Sequence, residues 1–299
     1  MGMILRLCSI SAPFFLSVIL CLGSSAAPLK VFVSIPPHQY LVERVGGDHV
    51  EVHVLIQPGQ QPHSFEPAPR QVVELGSARI FFKADLQFEQ RILGKIQETH
   101  KHLSIVDVTE GIEKRPITRH SHHEEGQAVD DSHADEGEPD PHVWLSPPLL
   151  KTQSRNIAEA LQRIDPLNKE DYAGNLKQLL DDIQRIHKTT KETLEPYKGE
   201  VFYVFHPAFG YFADAYGLEQ RPVEIGGKAP TPKQLAEFIQ KAKQEQAEII
   251  FVQPQFDQRT AQTIADAING SVVAMDPLEK NVLENIRKMA TKIRKALER

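Results

Sequence analysis

Histidine and carboxylate crowd into one stretch of this chain. Residues 119–142 (RHSHHEEGQAVDDSHADEGEPDPH) hold five histidines and eight carboxylates in 24 residues, and their only large apolar side chain is Val129. Imidazole and carboxylate at that density are ligands of a borderline divalent cation, zinc above all. A segment with so little to bury cannot offset the entropy of ordering it, so the sequence predicts a solvated, disordered loop over 119–139. His120, His122, His123 and His133 read as a second, weaker metal site or collector. The competing reading is an acidic linker whose histidines meet metal incidentally. Order resumes at Asp140-Pro141-His142-Val143-Trp144.

Four residues outside or at the edge of that loop share one kind of position. His63 sits in PGQQPHSFEP after an apolar β-rich run, His142 closes the acidic loop, His206 directly follows a second run, and Asp276 follows a third. In open α/β sheets, ligands bind beyond the carboxyl ends of strands. Two groups come from each half, and three neutral imidazoles with one carboxylate make a complete four-coordinate zinc set. Taken singly, each has a plainer reading: Pro-His and His-Pro are turn dipeptides, and Asp276 before Pro277 is a helix-start pattern. Glu66 and Asp140 stand close in sequence to His63 and His142 and are candidates to hold a ligand's ring N–H from behind; otherwise they are surface charges. His38, in Ile35-Pro36-Pro37-His38, reads as a turn residue entering a helix.

The elements that must position these groups are α/β. Apolar runs alternate with helical patterns, which predicts parallel sheets. Strands are expected at 30–34, 50–56, 78–82 and 103–107, then at 201–205, 219–223, 248–252 and 271–275. Helices are expected at 39–45, 70–75, 89–100 and 148–164, and in the second half at 209–216, 232–244, 257–268 and 278–297. Between the halves, 168–196 places Leu176, Leu179, Leu180, Ile183, Ile186 and Leu194 at helical spacing with charges opposite. A helix that long spans roughly 40 Å, the width of a domain, and predicts a rigid connector. The expected organisation is a signal at 1–26, one α/β lobe at 27–165, a connecting helix at 166–197 and a second lobe at 198–299. No repeat between the halves is visible in the sequence.

The first 26 residues carry one charge, Arg6, an apolar stretch from Pro13 to Leu22, and small residues at 23–27. That is the pattern of a secretory signal cleaved after Ala26, and its apolar core is too short to span a membrane. Both cysteines, Cys8 and Cys21, lie inside it, so any site in the mature chain must use histidine and carboxylate. Without Arg6 the formal charge moves from −6 to −7, which argues against a nucleic-acid partner. About 270 mature residues suffice for two domains with cores of their own.

PHSFEP (62–67), DPHVWL (140–145), HPAFGY (206–211) and MDPL (275–278) resemble, in order along the mature chain, the metal-binding motifs of ABC-transporter solute-binding proteins for zinc and manganese. With the acidic histidine loop, the resemblance is to the high-affinity zinc branch of that family; PTPKQL (230–235) supports it. The resemblance implies two α/β lobes joined by one long helix, metal in the cleft, His63, His142 and His206 as imidazole ligands and Asp276 as the carboxylate. With the export signal, it points to a periplasmic protein that delivers Zn²⁺ to a membrane permease, and a monomer is the natural default for a carrier that must dock. Gln253 stands where the family usually has glutamate. Two alternatives remain: a manganese or iron carrier of the same family, or a zinc-dependent hydrolase or hydratase using an open fourth position. Against the latter, the chain has no HExxH motif.

Overall fold

The computed structural model describes residues 27–117, 138–224, 231–256 and 258–298. The expected signal at 1–26 and the loop histidines His120, His122, His123 and His133 lie outside the described residues.

The first half alternates strand and helix: β1 (Leu29–Val33), α1 (Pro36–Gly46), β2 (Val50–Val54), α2 (Pro69–Gly76), β3 (Ile80–Lys83), α3 (Gln87–Thr99) and β4 (Ser104–Asp107). The four strands form a parallel sheet in the order β2-β1-β3-β4. β1 lies inside the sheet, and its Val31, Phe32 and Val33 are buried, as the unbroken apolar run requires. Pro36 and Pro37 open α1, where a missing N–H costs nothing and the fixed φ suits the first turn. The chain leaves α1 through Gly46, where a Cβ would come within 2.3 Å of Val50 Cγ2.

Two helices follow, α4 (Pro147–Ile164) and α5 (Lys169–Leu194). The second half is β5 (Val201–Val204), α6 (Gly210–Tyr216), β6 (Glu219–Pro222), α7 (Pro232–Gln244), β7 (Ile249–Val252), α8 (Gln258–Ala267), β8 (Ser271–Ala274) and α9 (Val282–Leu297). Its sheet is again parallel, with order β6-β5-β7-β8, so the two halves share one topology. α7 begins with a reciprocal cap: the Thr231 hydroxyl accepts from Gln234 N–H, and Gln234 Oε1 accepts from Thr231 N–H at 2.9 Å. The PTPKQL segment therefore owes its pattern to a helix start.

α5 is 26 residues long and packs on α1 and α4 of the first half and on α9 of the second. Its Leu179, Ile183 and Leu194 are fully buried, each stabilising the fold by about 1.5–3 kcal/mol. They belong to one apolar cluster that runs from Phe81 and Phe82, on the two faces of the first sheet, to Val204 and Phe251 on one face of the second. A separate cluster, including Tyr203, Ile250, Val252 and Ile264, covers the other face of the second sheet. The long helix is thus the shared core of both lobes rather than a bare strut. Among the described residues, no helix is long and apolar enough to cross a membrane.

Three local expectations change. α9 begins at Val282 rather than 278, because residues 275–281 form the turn that carries Asp276 and Asn281 caps the helix by accepting from Glu284 N–H. His38 is not a turn residue but lies fully buried in the first turn of α1, bonded through Nε2 to Gln153 Oε1 at 2.9 Å. Glu138 and Pro139, inside the span expected as a disordered loop, are paired: Ile117 N–H donates to Glu138 O at 2.9 Å, and Pro116 bridges Pro139 in antiparallel sense.

Candidate metal centre

Each of three histidines is delivered by a different kind of backbone. His63 lies beyond edge strand β2, in a single 3₁₀ turn of Pro62–Ser64. Buried Phe65 fixes that turn by packing edge-to-face on Phe88 with centroids 4.9 Å apart, and Arg91 Nη2 bonds the Phe65 carbonyl. His142 precedes another 3₁₀ turn, Val143–Leu145, whose Trp144 is almost fully buried and donates from Nε1 to Pro277 O at 2.8 Å. His206 stands two residues beyond β5, an inner strand where the order of the second sheet reverses. That is the crevice where open α/β sheets bind ligands.

The three rings converge. Their candidate ligand nitrogens all lie within 4.8 Å of one another. Ring centroids are 4.8 Å apart for His63–His206, 5.3 Å for His142–His206 and 6.1 Å for His63–His142. Nε2 of His63 and Nε2 of His206 face each other at 3.1 Å. Zinc–nitrogen bonds of 2.0–2.1 Å in a tetrahedron set ligand nitrogens about 3.3 Å apart, so this pair is spaced to share one ion. His142 and His206 are buried and His63 partly so.

Carboxylates hold two rings from behind. His142 Nδ1 bonds Asp140 Oδ1 at 2.6 Å, and that same oxygen accepts from the His142 N–H. His206 Nδ1 bonds Glu224 Oε2 at 2.5 Å. A carboxylate accepts only, so each Nδ1 carries the proton and each Nε2 presents its lone pair to the centre. Burial lowers the pKa of His63 to about 3, helped by the neighbouring rings of His206 and His142. Burial likewise lowers that of His206, against the opposing pull of Glu224. Both rings are held neutral, the state in which imidazole binds metal.

The structure brings together three of the four predicted ligands. Asp276 stands outside this group, and its Oδ1 accepts from Gln255 Nε2 at 2.8 Å and from Leu278 N–H at 2.9 Å. Asp140 is where an orienting carboxylate was expected. Glu66 is exposed, because the chain turns outward once Phe65 is buried, and it makes no contact with a ligand ring. Glu224 was missed, although it immediately follows an expected strand, the same signal that singled out His206. Gln253 is fully buried and clamps the His206 backbone from both sides, donating to its carbonyl at 2.7 Å and accepting from its N–H at 3.3 Å. A glutamate there could accept but not donate.

Comparison with known proteins agrees with this geometry. Residues 31–297 match the family model of the periplasmic component A of zinc-uptake complexes, ZnuA. The high-affinity zinc uptake system protein ZnuA of Bacillus subtilis is 28% identical over 260 residues, covering 86% of this chain and 80% of its own. A manganese ABC transporter substrate-binding lipoprotein, PsaA of Streptococcus mitis, is 27% identical over 278 residues, covering 87% of this chain and 86% of its own. A crystal structure of ZnuA superposes with a TM-score of 0.82 at 33% identity, covering 90% of this chain and 99% of that one. A zinc-bound ZnuA with a deletion of its residues 138–173 superposes with a TM-score of 0.81, also at 33% identity, covering 90% and 98%. With a match that spans nearly all the described residues, this chain belongs to the ZnuA family of metal-binding solute-binding proteins of ABC transporters.

Proposed function

We propose that the protein binds Zn²⁺ in the periplasm, after export by a signal cleaved after Ala26, and delivers it as a monomer to a membrane permease driven by a cytoplasmic ATPase. The observation that carries this is the meeting of three imidazole nitrogens, two of them backed by carboxylates. Nitrogen donors favour zinc, whereas manganese favours oxygen donors. The similarity to manganese proteins motivates the second reading, and the removal of Asp276 from the group counts against it. The zinc and manganese relatives compared above are named for metal uptake and transport, and neither name supports the hydrolase reading.

The division at 27–165, 166–197 and 198–299 is retained as part of this reading, with α5 as the link. His120, His122, His123 and His133 would form a weaker collecting site, and deleting residues 119–135 should then remove weak binding and leave one tight site. The test of the main proposal is zinc titration of the mature protein, in competition with manganese, repeated with H63A, H142A and H206A. One tight equivalent of zinc, lost in each variant, is expected. Preference for manganese, or variants that bind as the parent does, would overturn it.

A further inference from the structure

The two sheets share one topology, but their inner strand pairs do not close alike. In the first, β1 and β3 pair from Val31 opposite Ile80 to Val33 opposite Phe82, and Arg79 N–H carries the ladder on to the Lys30 carbonyl at 2.9 Å. In the second, β5 and β7 pair only where Tyr203 lies opposite Ile250 and Val204 opposite Phe251. Carried further back, that register would set Phe202 against Ile249 and Val201 against Glu248. Neither pair forms, although β5 stays paired to β6 from Val201 and β7 to β8 from Ile249. The inner strands therefore splay apart at their amino ends, and main-chain groups facing the gap must find partners outside the ladder.

A cavity of about 590 Å³ occupies the splay, and all four residues of the two missing pairs line it. The end of α9, at Ala296 and Leu297, and the turn at 244–248 between α7 and β7 complete its wall. It opens at the amino ends of the strands, whereas His206 lies beyond the carboxyl end of β5. Sites for small molecules have volumes of roughly 300–1,000 Å³.

The wall joins aromatic surface from Phe202 and Phe251 to carboxylates from Glu200, Glu245, Glu248 and Glu298. Among the described residues, no lysine, arginine or histidine lines it. Glu245 already answers Arg221, and Glu298 answers Arg294. The side chains of Glu200 and Glu248 have no hydrogen bond or ion pair among the described residues, so the charge left over is negative. How this lobe holds a cation is shown next door. The Arg221 guanidinium lies over the Tyr203 ring, 5.7 Å from its centroid, and bonds Glu245.

We propose that this cavity is a second binding site, separate from the metal centre, for a small organic cation: a protonated amine on an apolar body. The body lies against Phe202, Phe251 and Leu297, and the ammonium meets Glu200 and Glu248 at the rim. A metal ion does not fit the wall, since these carboxylates do not gather closely enough to hold one. An anion would meet two carboxylates with no cation to offset them.

The experiment is calorimetric titration of the mature, zinc-free protein at pH 7 with phenethylamine and with hexylamine. 2-Phenylethanol and 3-phenylpropionate serve as neutral and anionic counterparts. Each amine should bind at one equivalent and shift the amide resonances of Phe202 and Ile249, and both counterparts should bind about tenfold more weakly or not at all. The double variant E200Q/E248Q should lose about tenfold in amine affinity, the effect of two solvent-facing ion pairs. Its thermal unfolding and zinc affinity should match the parent's, and zinc-loaded parent should bind the amines as the zinc-free form does. Silence from both amines at millimolar concentration, equal binding of phenethylamine and 2-phenylethanol, or parent-like amine affinity in E200Q/E248Q would overturn the proposal. So would loss of amine binding on loading with zinc, which would place the amine at the histidines instead.

Discussion

Nδ1 of His206 donates to Oε2 of Glu224 across 2.5 Å, and each residue stands two positions beyond paired ends of adjacent parallel strands. Val204 of β5 lies opposite Pro222 of β6, so the sheet register itself sets the two side chains abreast. Replacing Glu224 with alanine leaves the ring free to turn or to change tautomer. E224A should weaken zinc binding about 10- to 100-fold, and E224Q, which keeps an acceptor, should lose less. Competition titration measures both, and equal affinity in E224A and the parent would refute the orienting role.

His38 makes stability depend on acidity. Burial lowers its pKa from 6.5 to about 4, against the raising effect of its bond to Gln153. Above pH 6.5 the ring is neutral in both folded and unfolded chains, and its contribution is fully present. As pH falls from 6.5 to about 4, the unfolded chain takes up a proton that the folded one refuses, and stability is lost. That difference corresponds to about 3 kcal/mol. H38Q should be less stable than the parent at pH 7, with the gap narrowing steadily toward pH 4 in urea titrations of metal-free protein. A gap constant with pH would show that the ring does not titrate as described.

Trp144 ties the ligand turn of the first half to the Asp276 loop of the second through its bond to Pro277 O. W144F keeps most of the apolar volume but leaves that buried carbonyl without its donor. The expected loss is about 1–3 kcal/mol of stability. Zinc affinity should fall with it, since His142 packs against the same ring at 5.2 Å. Urea unfolding with and without zinc checks both.

One apolar cluster crosses α5, so the halves should unfold together. I183A, which opens a cavity at a fully buried site, should cost about 2–5 kcal/mol. Its unfolding should remain a single transition by both Trp144 fluorescence and circular dichroism. Separate transitions would show that the lobes are independent. For the same reason, zinc should change the X-ray scattering radius little, with or without residues 119–135.

Much of the scaffold was legible in the sequence. All eight strands begin and end within two residues of their expected positions, most of them on β-branched and aromatic residues, although β6 is Glu-Gln-Arg-Pro and was placed by the alternation of elements around it. The three histidines were legible for a related reason: each follows a strand or closes a loop where an open sheet binds ligands. What escaped notice depended on contacts across the sheet. Glu224 faces His206 only through lateral register, and Asp276 was assigned by its strand-end position without sight of Gln255 beside it. Glu66 was assigned by its closeness in sequence to His63, but burial of Phe65 sends it the other way. His38 looked like a turn residue since two prolines precede it, yet they open a helix and carry the ring inward.

Asp140 and Glu224, sealed behind their imidazoles, set two carboxylates just outside a centre whose three ligand nitrogens are neutral. A divalent guest offsets their charge more fully than a monovalent one does. An emptied cleft keeps both charges in a poorly solvated place, so whatever unloads the ion must admit water or a cationic group as the metal departs.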